Sequence, residues 1–165
     1  MSRYTATING KERIEAANRV LRLFASTARI EHRPGVGGGY YVHWSTSHGE
    51  SCKRWMTRGC QDFYPVWSNK WLGGGTSCTA LSQLIRWCRG EPVLPLSTWR
   101  HWSSERVKLL DASAVELLRA AGYPEKTPCV LCGGEIKSMD WWNLDGVSGP
   151  CCGWTTGCRQ KIEVR

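Results

Sequence analysis

The residues with the clearest capacity for chemistry are five cysteines near the end of the 165-residue chain. Cys129 and Cys132 enclose two residues, a spacing that lets two thiolates reach one tetrahedral ion, and the glycine that follows permits a tight turn. Cys151 comes 19 positions after Cys132, and Cys152 and Cys158 follow it. We predict one Zn²⁺ per chain, bound by Cys129, Cys132, Cys158 and either Cys151 or Cys152.

The chain around these cysteines is short, and this supports a metal site. The intervening stretch EIKSMDWWNLDGVSG has the length of a β-hairpin that returns the chain to the first cysteine pair. A tail of roughly 40 residues buries too little apolar surface to fold unaided, so metal ligation would supply the missing folding free energy. In a reducing cytosol, nine cysteines fit metal ligands or buried apolar residues better than disulfides.

Two of these cysteines could instead belong to the active site of an enzyme. Zinc nucleobase deaminases hold the ion with a histidine and two cysteines, keep one position open for water, and use a glutamate to carry the proton. His48, Glu50, Cys129 and Cys132 could fill these roles. However, 77 residues separate Glu50 from Pro128, and two glycines follow Cys132 where a helix is needed. We therefore favour a closed structural site.

The stretch PCVLCGG, residues 128–134, resembles the opening knuckle of small phage and prophage zinc-ribbon proteins, among them the restriction-alleviation family. The resemblance covers about 30 of the 165 residues. The later cysteines depart from it, because five residues separate Cys152 from Cys158 where the second knuckle would have two. The resemblance implies a zinc-ribbon-like tail in a mobile-element or regulatory setting, including a role against host defence.

Charge is distributed unevenly along the chain, whose net charge is +8. Residues 1–90 contain 13 Lys and Arg against 5 Asp and Glu, whereas residues 91–165 contain 9 of each. Such a concentration favours a negatively charged partner, nucleic acid above all. Phosphate contacts are predicted for Arg22, Arg29, Arg33, Lys53, Arg54 and Arg58, and base stacking for Tyr40 and Tyr41 or an exposed tryptophan.

The function predicted from these features is non-enzymatic nucleic-acid binding by a zinc-stabilised protein, regulatory or anti-defence and encoded by a phage or prophage. The alternative is a protein-binding inhibitor or adaptor of a host complex, in which some of the ten tryptophans would be interface hot spots. We expect no small-molecule substrate. The chain has no apolar run of about 20 residues and no apolar signal segment at its start, so we expect a cytoplasmic protein without a membrane partner.

The elements that must position these residues indicate an α+β fold. We predict a basic, tryptophan-rich domain over residues 1–124 and a zinc-ribbon-like domain over residues 125–165. In the first domain, short apolar alternation predicts a strand at 4–8, and an apolar repeat at 3-4-3 spacing predicts a helix from Asn9 to about Ala25. The segments ARIEHR and YYVHW predict a β-hairpin with the glycine-rich tip PGVGGG.

The remaining elements are predicted to be helices. A capping box at Ser47 and Glu50 predicts a basic helix that ends near Gly59. Residues 76–90 form a second, with Cys78 and Cys88 on its buried stripe. Two further helices are predicted at 103–110 and at 113–122, the latter capped by Ser113. Residues 123–128 are predicted to be a linker to the tail.

Overall fold

The computed structural model describes residues 8–23, 28–33, 39–46, 48–54, 80–102, 108–136, 140–144, 146–153 and 158. The predicted α+β class is confirmed, with helices and two small antiparallel sheets. In chain order the elements are α1 (Ile8–Leu23), β1 (Arg29–Arg33), β2 (Gly39–Thr46), β3 (Gly49–Arg54), α2 (Ala80–Cys88), a 3₁₀ helix (Leu96–Trp102), α3 (Lys108–Ala120), β4 (Trp141–Leu144) and β5 (Val147–Pro150).

Helix α1 forms where the apolar repeat predicted it, and it packs on the first sheet. Ala17 and Leu21 of that repeat are fully buried, together with Val20. The Asn18 side chain joins the helix to the edge strand: Ile30 N–H donates to Asn18 Oδ1 at 2.7 Å, and Asn18 Nδ2 donates to the Ile30 carbonyl at 3.0 Å. One amide thereby satisfies both backbone groups of Ile30 that face the helix.

The predicted β-hairpin is confirmed as β1 paired antiparallel with β2, and β3 extends it to a three-stranded sheet in the order β1-β2-β3. Ile30 and Val42 stand opposite each other and are buried against α1. Because side chains alternate along a strand, the neighbours Arg29, Glu31 and Tyr41 take positions on the opposite side. The hairpin tip, residues 34–38, lies outside the described residues, as do residues 4–7 of the strand predicted at 4–8. The last residue of that predicted strand, Ile8, instead begins α1.

The basic helix predicted from Ser47 is wrong, because residues 49–54 form strand β3. His48 and Gly49 make the turn from β2, and Gly49 has φ +118°, a conformation that side-chain-bearing residues rarely adopt. Glu50 does not cap a helix; its carboxylate pairs with Arg29 across the sheet. Pairing with an existing hairpin edge satisfies the backbone here, and this outweighs the local capping signal. Residues 55–59 lie outside the described part of the chain.

Helix α2 forms the centre of the core, and all nine of its residues are buried. Its cysteine at the end, Cys88, was predicted to be buried, and burial raises the pKa of that thiol to about 12. The side chain of Gln83 accepts a hydrogen bond from Leu94 N–H at 2.8 Å, which holds the following proline-rich segment against the helix. The other predicted stripe cysteine, Cys78, falls outside the described residues.

Helix α3 begins at Lys108 and runs without interruption to Ala120, so the separate helix capped by Ser113 is wrong. Ser113 lies inside α3 and is exposed. The predicted end is confirmed, since Gly122 has φ +86° and its N–H donates to the Arg119 carbonyl at 3.1 Å. Leu118 is fully buried against the rest of the core.

The segment after α3 is held against the core by ring contacts and hydrogen bonds. Tyr123 is buried between Trp87 and Trp99, with ring centroids 5.3 and 5.7 Å away, and its hydroxyl donates to the Leu94 carbonyl at 2.7 Å. The Pro124 carbonyl accepts a hydrogen bond from Leu96 N–H at 3.0 Å. The domain boundary at 124/125 stays a prediction, but the residues on each side of it are in contact.

A buried cation joins α2 to the tail. Arg86 is 4% exposed, and its NH1 lies 3.3 Å from the Glu91 carboxylate. The guanidinium lies over the ring of Trp141 in β4, 4.7 Å from its centroid. Such a cation–π contact gains strength when it is shielded from water. Among the described helices, none has the length and apolar character that crossing a bilayer requires.

We expect Tyr123→Phe to lower the free energy of unfolding by about 1–3 kcal/mol, because the Leu94 carbonyl would lose its partner in a buried environment. Urea denaturation followed by tryptophan fluorescence measures the change. Tyr41→Phe is the matched control, since Tyr41 is only half-buried, and we expect an effect below about 0.5 kcal/mol there. Equal effects in both variants would contradict the assigned role of the Tyr123 hydroxyl.

Candidate functional site

Four of the five tail cysteines converge on one point. The sulfur atoms of Cys129, Cys132, Cys152 and Cys158 all lie within 4.8 Å of one another. The Sγ–Sγ distances are 3.5 Å for Cys129 and Cys158 and 3.7 Å for Cys132 and Cys152. Four sulfurs at tetrahedral positions, each 2.3 Å from a central ion, would be about 3.8 Å apart. The cluster therefore has the dimensions of a four-thiolate metal site.

The first pair is positioned by a tight backbone turn. Cys129 N–H donates to the Gly134 carbonyl at 2.8 Å, and Gly133 N–H donates to the Cys129 carbonyl at 2.9 Å. Gly133 has φ +74°, which explains why a glycine follows the second cysteine. The turn aims backbone donors at both sulfurs: Leu131 N–H lies 3.4 Å from Cys129 Sγ and Gly134 N–H lies 3.4 Å from Cys132 Sγ.

The electrostatics of the cluster favour a thiolate at Cys129 and oppose one at Cys158. Burial opposes ionisation of Cys129, but the N–H groups of Cys132, Leu131 and Cys152 outweigh it and lower the pKa of this thiol to about 6. Burial, and then hydrogen bonding with the other thiols, raises the pKa of Cys158. The first negative charge is thus accommodated by the backbone, whereas further thiolates need a cation among them.

The structure resolves the choice between the two adjacent cysteines. Cys152 belongs to the cluster and Cys151 does not. Cys151 is fully buried, and its N–H donates to the Asp140 carbonyl at 3.0 Å. Gly153, with φ +94°, turns the chain immediately after the ligand. Cys152 is therefore the candidate ligand of the two, and Cys151 is buried next to it.

The β4–β5 hairpin carries the second half of the cluster to the first, as the length of the intervening segment predicted. Trp141 stands opposite Pro150, and Leu144 opposite Val147. Val130 N–H donates to the Pro150 carbonyl at 3.0 Å, which joins the turn to β5. A Cβ atom at Gly149 would lie 2.3 Å from Val130 Cγ1, so only glycine allows β5 to approach the turn this closely.

The second candidate feature is the outer sheet face, by which we mean Arg29, Glu31, Arg33, Tyr41, His43, Glu50 and Cys52. The register places Arg29, His43 and Cys52 in one row across the three strands, and Glu31 and Tyr41 in the next. Arg29 and Arg33 have side chains that are 54% and 49% exposed. Two exposed guanidiniums thus stand at the two ends of β1, on the side of the sheet opposite α1.

The two guanidiniums are held differently. Arg29 contacts Glu50 through a single nitrogen, NH1. Arg33 meets Glu31 with two nitrogens, Nε at 3.2 Å from Oε1 and NH2 at 3.4 Å from Oε2, and lies over the Tyr41 ring at 4.5 Å from its centroid. The hydrogen bond from Arg33 is the largest influence and lowers the pKa of the Glu31 carboxyl; desolvation opposes it, and a hydrogen bond from His43 adds to the lowering.

His43 is buried on the same face and contacts the Glu31 carboxylate. Its Nε2 lies 2.6 Å from Glu31 Oε2, and a carboxylate oxygen only accepts, so the proton is on Nε2 and points at Glu31. Cys52 Sγ lies 3.5 Å from the same nitrogen. Arg33 NH2 also lies 3.4 Å from this nitrogen. Because one nitrogen of His43 faces all of these neighbours, the groups do not form the relay of a catalytic triad, in which the two ring nitrogens have separate partners.

The other predicted nucleic-acid contacts are dispersed. Arg22 is exposed in the last turn of α1, on the helix that packs against the opposite side of the sheet. Tyr40 is half-buried, and its hydroxyl donates to the Cys88 carbonyl at 2.8 Å, so it links the sheet to α2. Lys53 and Arg54 stand opposite Val42 and Tyr41 in the register. Arg58 lies outside the described residues.

Sequence reasoning missed Glu31, His43 and Cys52, although a signal was present. Arg29, Glu31 and Arg33 alternate with Ile30 and His32, so a strand assignment already places the three charges on one face. The prediction considered only the sign of each charge. The pairing of Arg29 with Glu50 could not be predicted, because the capping-box pattern assigns Glu50 to a helix.

The residues of the deaminase alternative do not assemble within the described part of the chain. His48 lies in the exposed turn between β2 and β3, and the metal-binding cluster contains four cysteines without it. Cys129 begins a turn rather than a helix. Comparison with protein-family models finds no match, and neither do the comparisons with curated proteins and with solved structures.

We expect Cys152→Ala to abolish metal binding and Cys151→Ala to retain one metal ion per chain. The two residues are adjacent and buried, so the pair differs mainly in whether the sulfur belongs to the cluster. Inductively coupled plasma mass spectrometry of the purified variants counts the metal, whichever ion it is. Retention of metal by Cys152→Ala and its loss from Cys151→Ala would reverse the assignment.

Proposed function

We propose that this chain is a zinc-stabilised protein that binds nucleic acid and has no enzymatic activity. A regulatory or anti-defence role in a phage or prophage is the setting that we infer for it. That setting depends on the PCVLCGG knuckle and its resemblance to small prophage zinc-ribbon proteins. The two parts of the proposal, the metal and the partner, depend on different residues and can be tested separately.

Zinc is the ion that best suits the cysteine cluster. Four thiolates in tetrahedral array are the ligand set of structural zinc sites, and the N–H groups aimed at Cys129 and Cys132 would orient and partly neutralise the sulfurs. The β4–β5 hairpin has only four residues in each strand. A two-stranded hairpin of this size is marginal alone, so the ion would supply much of the tail's stability.

The cluster also argues against hydrolytic chemistry at the metal. A catalytic zinc keeps one position for water or substrate, whereas four cysteines would fill a tetrahedral site. Cys129, Cys152 and Cys158 are buried, which leaves a substrate little access to the ion. These features support a structural role for the metal and a function located elsewhere in the chain.

The observation that carries nucleic-acid binding is the outer sheet face. It brings Arg29, Arg33 and Tyr41, three of the predicted contacts, onto one side of a small sheet, with Arg54 at the register position beside Tyr41. Cationic side chains there would contact phosphates, and aromatic rings on a sheet can stack on bases. The net charge of +8, concentrated in residues 1–90, would draw a polyanion to this half of the chain.

A protein-binding adaptor is the second candidate, and one observation favours it. The outer sheet face contains carboxylates as well as guanidiniums, since Glu31 and Glu50 pair with Arg33 and Arg29. A face of mixed charge suits a protein surface that carries both signs. The two candidates differ in how their affinity depends on salt, because counterion release makes nucleic-acid binding weaken steeply as salt rises.

For the metal, we expect the purified protein to contain one Zn²⁺ per chain, and a strong chelator to unfold the tail. Trp141 and Trp142 lie in β4, so tryptophan fluorescence reports unfolding of the tail. Sensitivity to trypsin is a second, independent measure of the same change. Added Zn²⁺ should restore the folded state, whereas Mg²⁺, which prefers oxygen ligands, should not. A tail that keeps its fluorescence and protease resistance without metal would contradict the proposal.

For the partner, we expect binding to nucleic acid whose logarithmic affinity falls linearly with the logarithm of salt concentration. Fluorescence anisotropy titrations give the slope, and Arg29→Ala should reduce its magnitude by about 0.7–0.9, the value of one phosphate contact. Arg119→Ala is the matched control, since Arg119 is 50% exposed and ion-paired but lies on α3. Absence of binding at about 50 mM salt, or equal effects of both variants, would sink the proposed interface.

A further inference from the structure

The arrangement around Arg33 assigns it a role other than a phosphate contact. Its Nε and NH2 atoms form the side of the guanidinium that would grip a phosphate, and both already face the two oxygens of Glu31. A planar, two-point pair of this kind fixes the guanidinium in orientation as well as position. A phosphate could take this side only by displacing Glu31.

Glu31 is itself held from a second direction. His43 Nε2 lies 2.6 Å from Glu31 Oε2, and His43 is buried, so this carboxylate oxygen is anchored to the interior of the face. Displacing Glu31 would therefore break a contact to a buried ring as well as the pair with Arg33. The Arg33 edge is the costliest place on the outer sheet face for a phosphate to bind.

The plane of the Arg33 guanidinium, in contrast, is presented for stacking. Its central carbon, Cζ, lies over the Tyr41 ring at 4.5 Å from the centroid, and the Arg33 side chain is still 49% exposed. Guanidinium planes are among the surfaces on which unpaired bases stack in single-stranded complexes. Glu31 fixes the edge and Tyr41 supports one side, so the plane is ordered before any ligand arrives.

We infer that Arg33, supported by Tyr41 and fixed by Glu31, is a stacking platform for an unpaired base. The partner of the outer sheet face is accordingly a single-stranded nucleic acid. This inference rests on the proposed nucleic-acid function and adds the strand type and the role of each arginine. A base inside a duplex is already stacked on both sides, so the platform selects strands whose bases are free.

Arg29 provides the complementary phosphate contact. It meets Glu50 through NH1 alone, so its other N–H groups can donate to a phosphate without loss of that pair. Arg29 and Arg33 are four residues apart on one strand, which spans roughly 13 Å at the usual rise. A single strand lying along β1 would place its backbone at one end of this span and a base at the other.

The test compares two conservative variants on two strands with the same number of phosphates. Anisotropy titrations use an oligodeoxythymidine of about 12 nucleotides, and an abasic strand of equal length, with a matched duplex as third probe. Arg33→Lys keeps the charge and removes the planar surface; Arg29→Lys is its control on the same strand. Circular dichroism confirms that each variant is folded.

We expect Arg33→Lys to weaken binding to oligodeoxythymidine by about tenfold and to leave binding to the abasic strand within about twofold. Arg29→Lys should change both strands by a similar factor. Tyr41→Leu should act like Arg33→Lys, and Tyr41→Phe, which keeps the ring, should match the original protein. The original protein should bind the single strand more tightly than the duplex.

The outcomes separate the inference from the function on which it rests. If Arg33→Lys has no effect, or changes affinity for both strands equally, or if the duplex binds more tightly, the platform is refuted while nucleic-acid binding stands. If the original protein binds none of the three probes at about 50 mM salt, the proposed function fails, and the platform fails with it.

Discussion

Four thiol groups within 4.8 Å of one another can all ionise only when a cation lies among them. Most of the tail's structure can be explained by this need to hold four sulfurs around a cation. The turn at Cys129, the glycines that permit it and the short β4–β5 hairpin hold the sulfurs in place. Backbone donors stabilise the first negative charge at Cys129, so the site is prepared to take up an ion. In this view the metal replaces the hydrophobic core that so short a segment cannot have.

The helical part of the chain, which precedes the tail, is stabilised in another way. Helix α1 and helix α2 bury apolar side chains around Trp87, Trp99 and Tyr123, and two side-chain amides, Asn18 and Gln83, satisfy backbone groups at the edges of this core. The sheet contributes one side to the core and keeps the other for charged groups. On that outer side every exposed guanidinium of β1 has a carboxylate partner, so the face is ordered in advance and its charges are moderated rather than concentrated.

Much of this could be predicted from the sequence where the pattern is local and strong. The apolar repeat of α1, the hairpin of β1 and β2 and the Cys-x-x-Cys pair each depend on neighbouring residues. The wrong predictions arise where other parts of the structure outweigh a local capping signal. Ser47 and Glu50 match a capping box in sequence, but Glu50 pairs with the edge of β2 as part of β3. Ser113 resembles a cap, yet α3 simply begins earlier. The choice of Cys152 over Cys151 required the position of the hairpin, which no local spacing fixes.

The contact between Arg86 and Trp141 has a consequence for the lifetime of the protein in a cell. Arg86 is nearly inaccessible in a helix of the core, and one of the groups that cover it belongs to the β4–β5 hairpin, which the proposed ion would stabilise. A chain without that ion would leave one side of this cationic residue uncovered. Surveillance proteases recognise such partly opened states. Metal supply would thereby set how much of the protein survives, as well as whether its tail is folded.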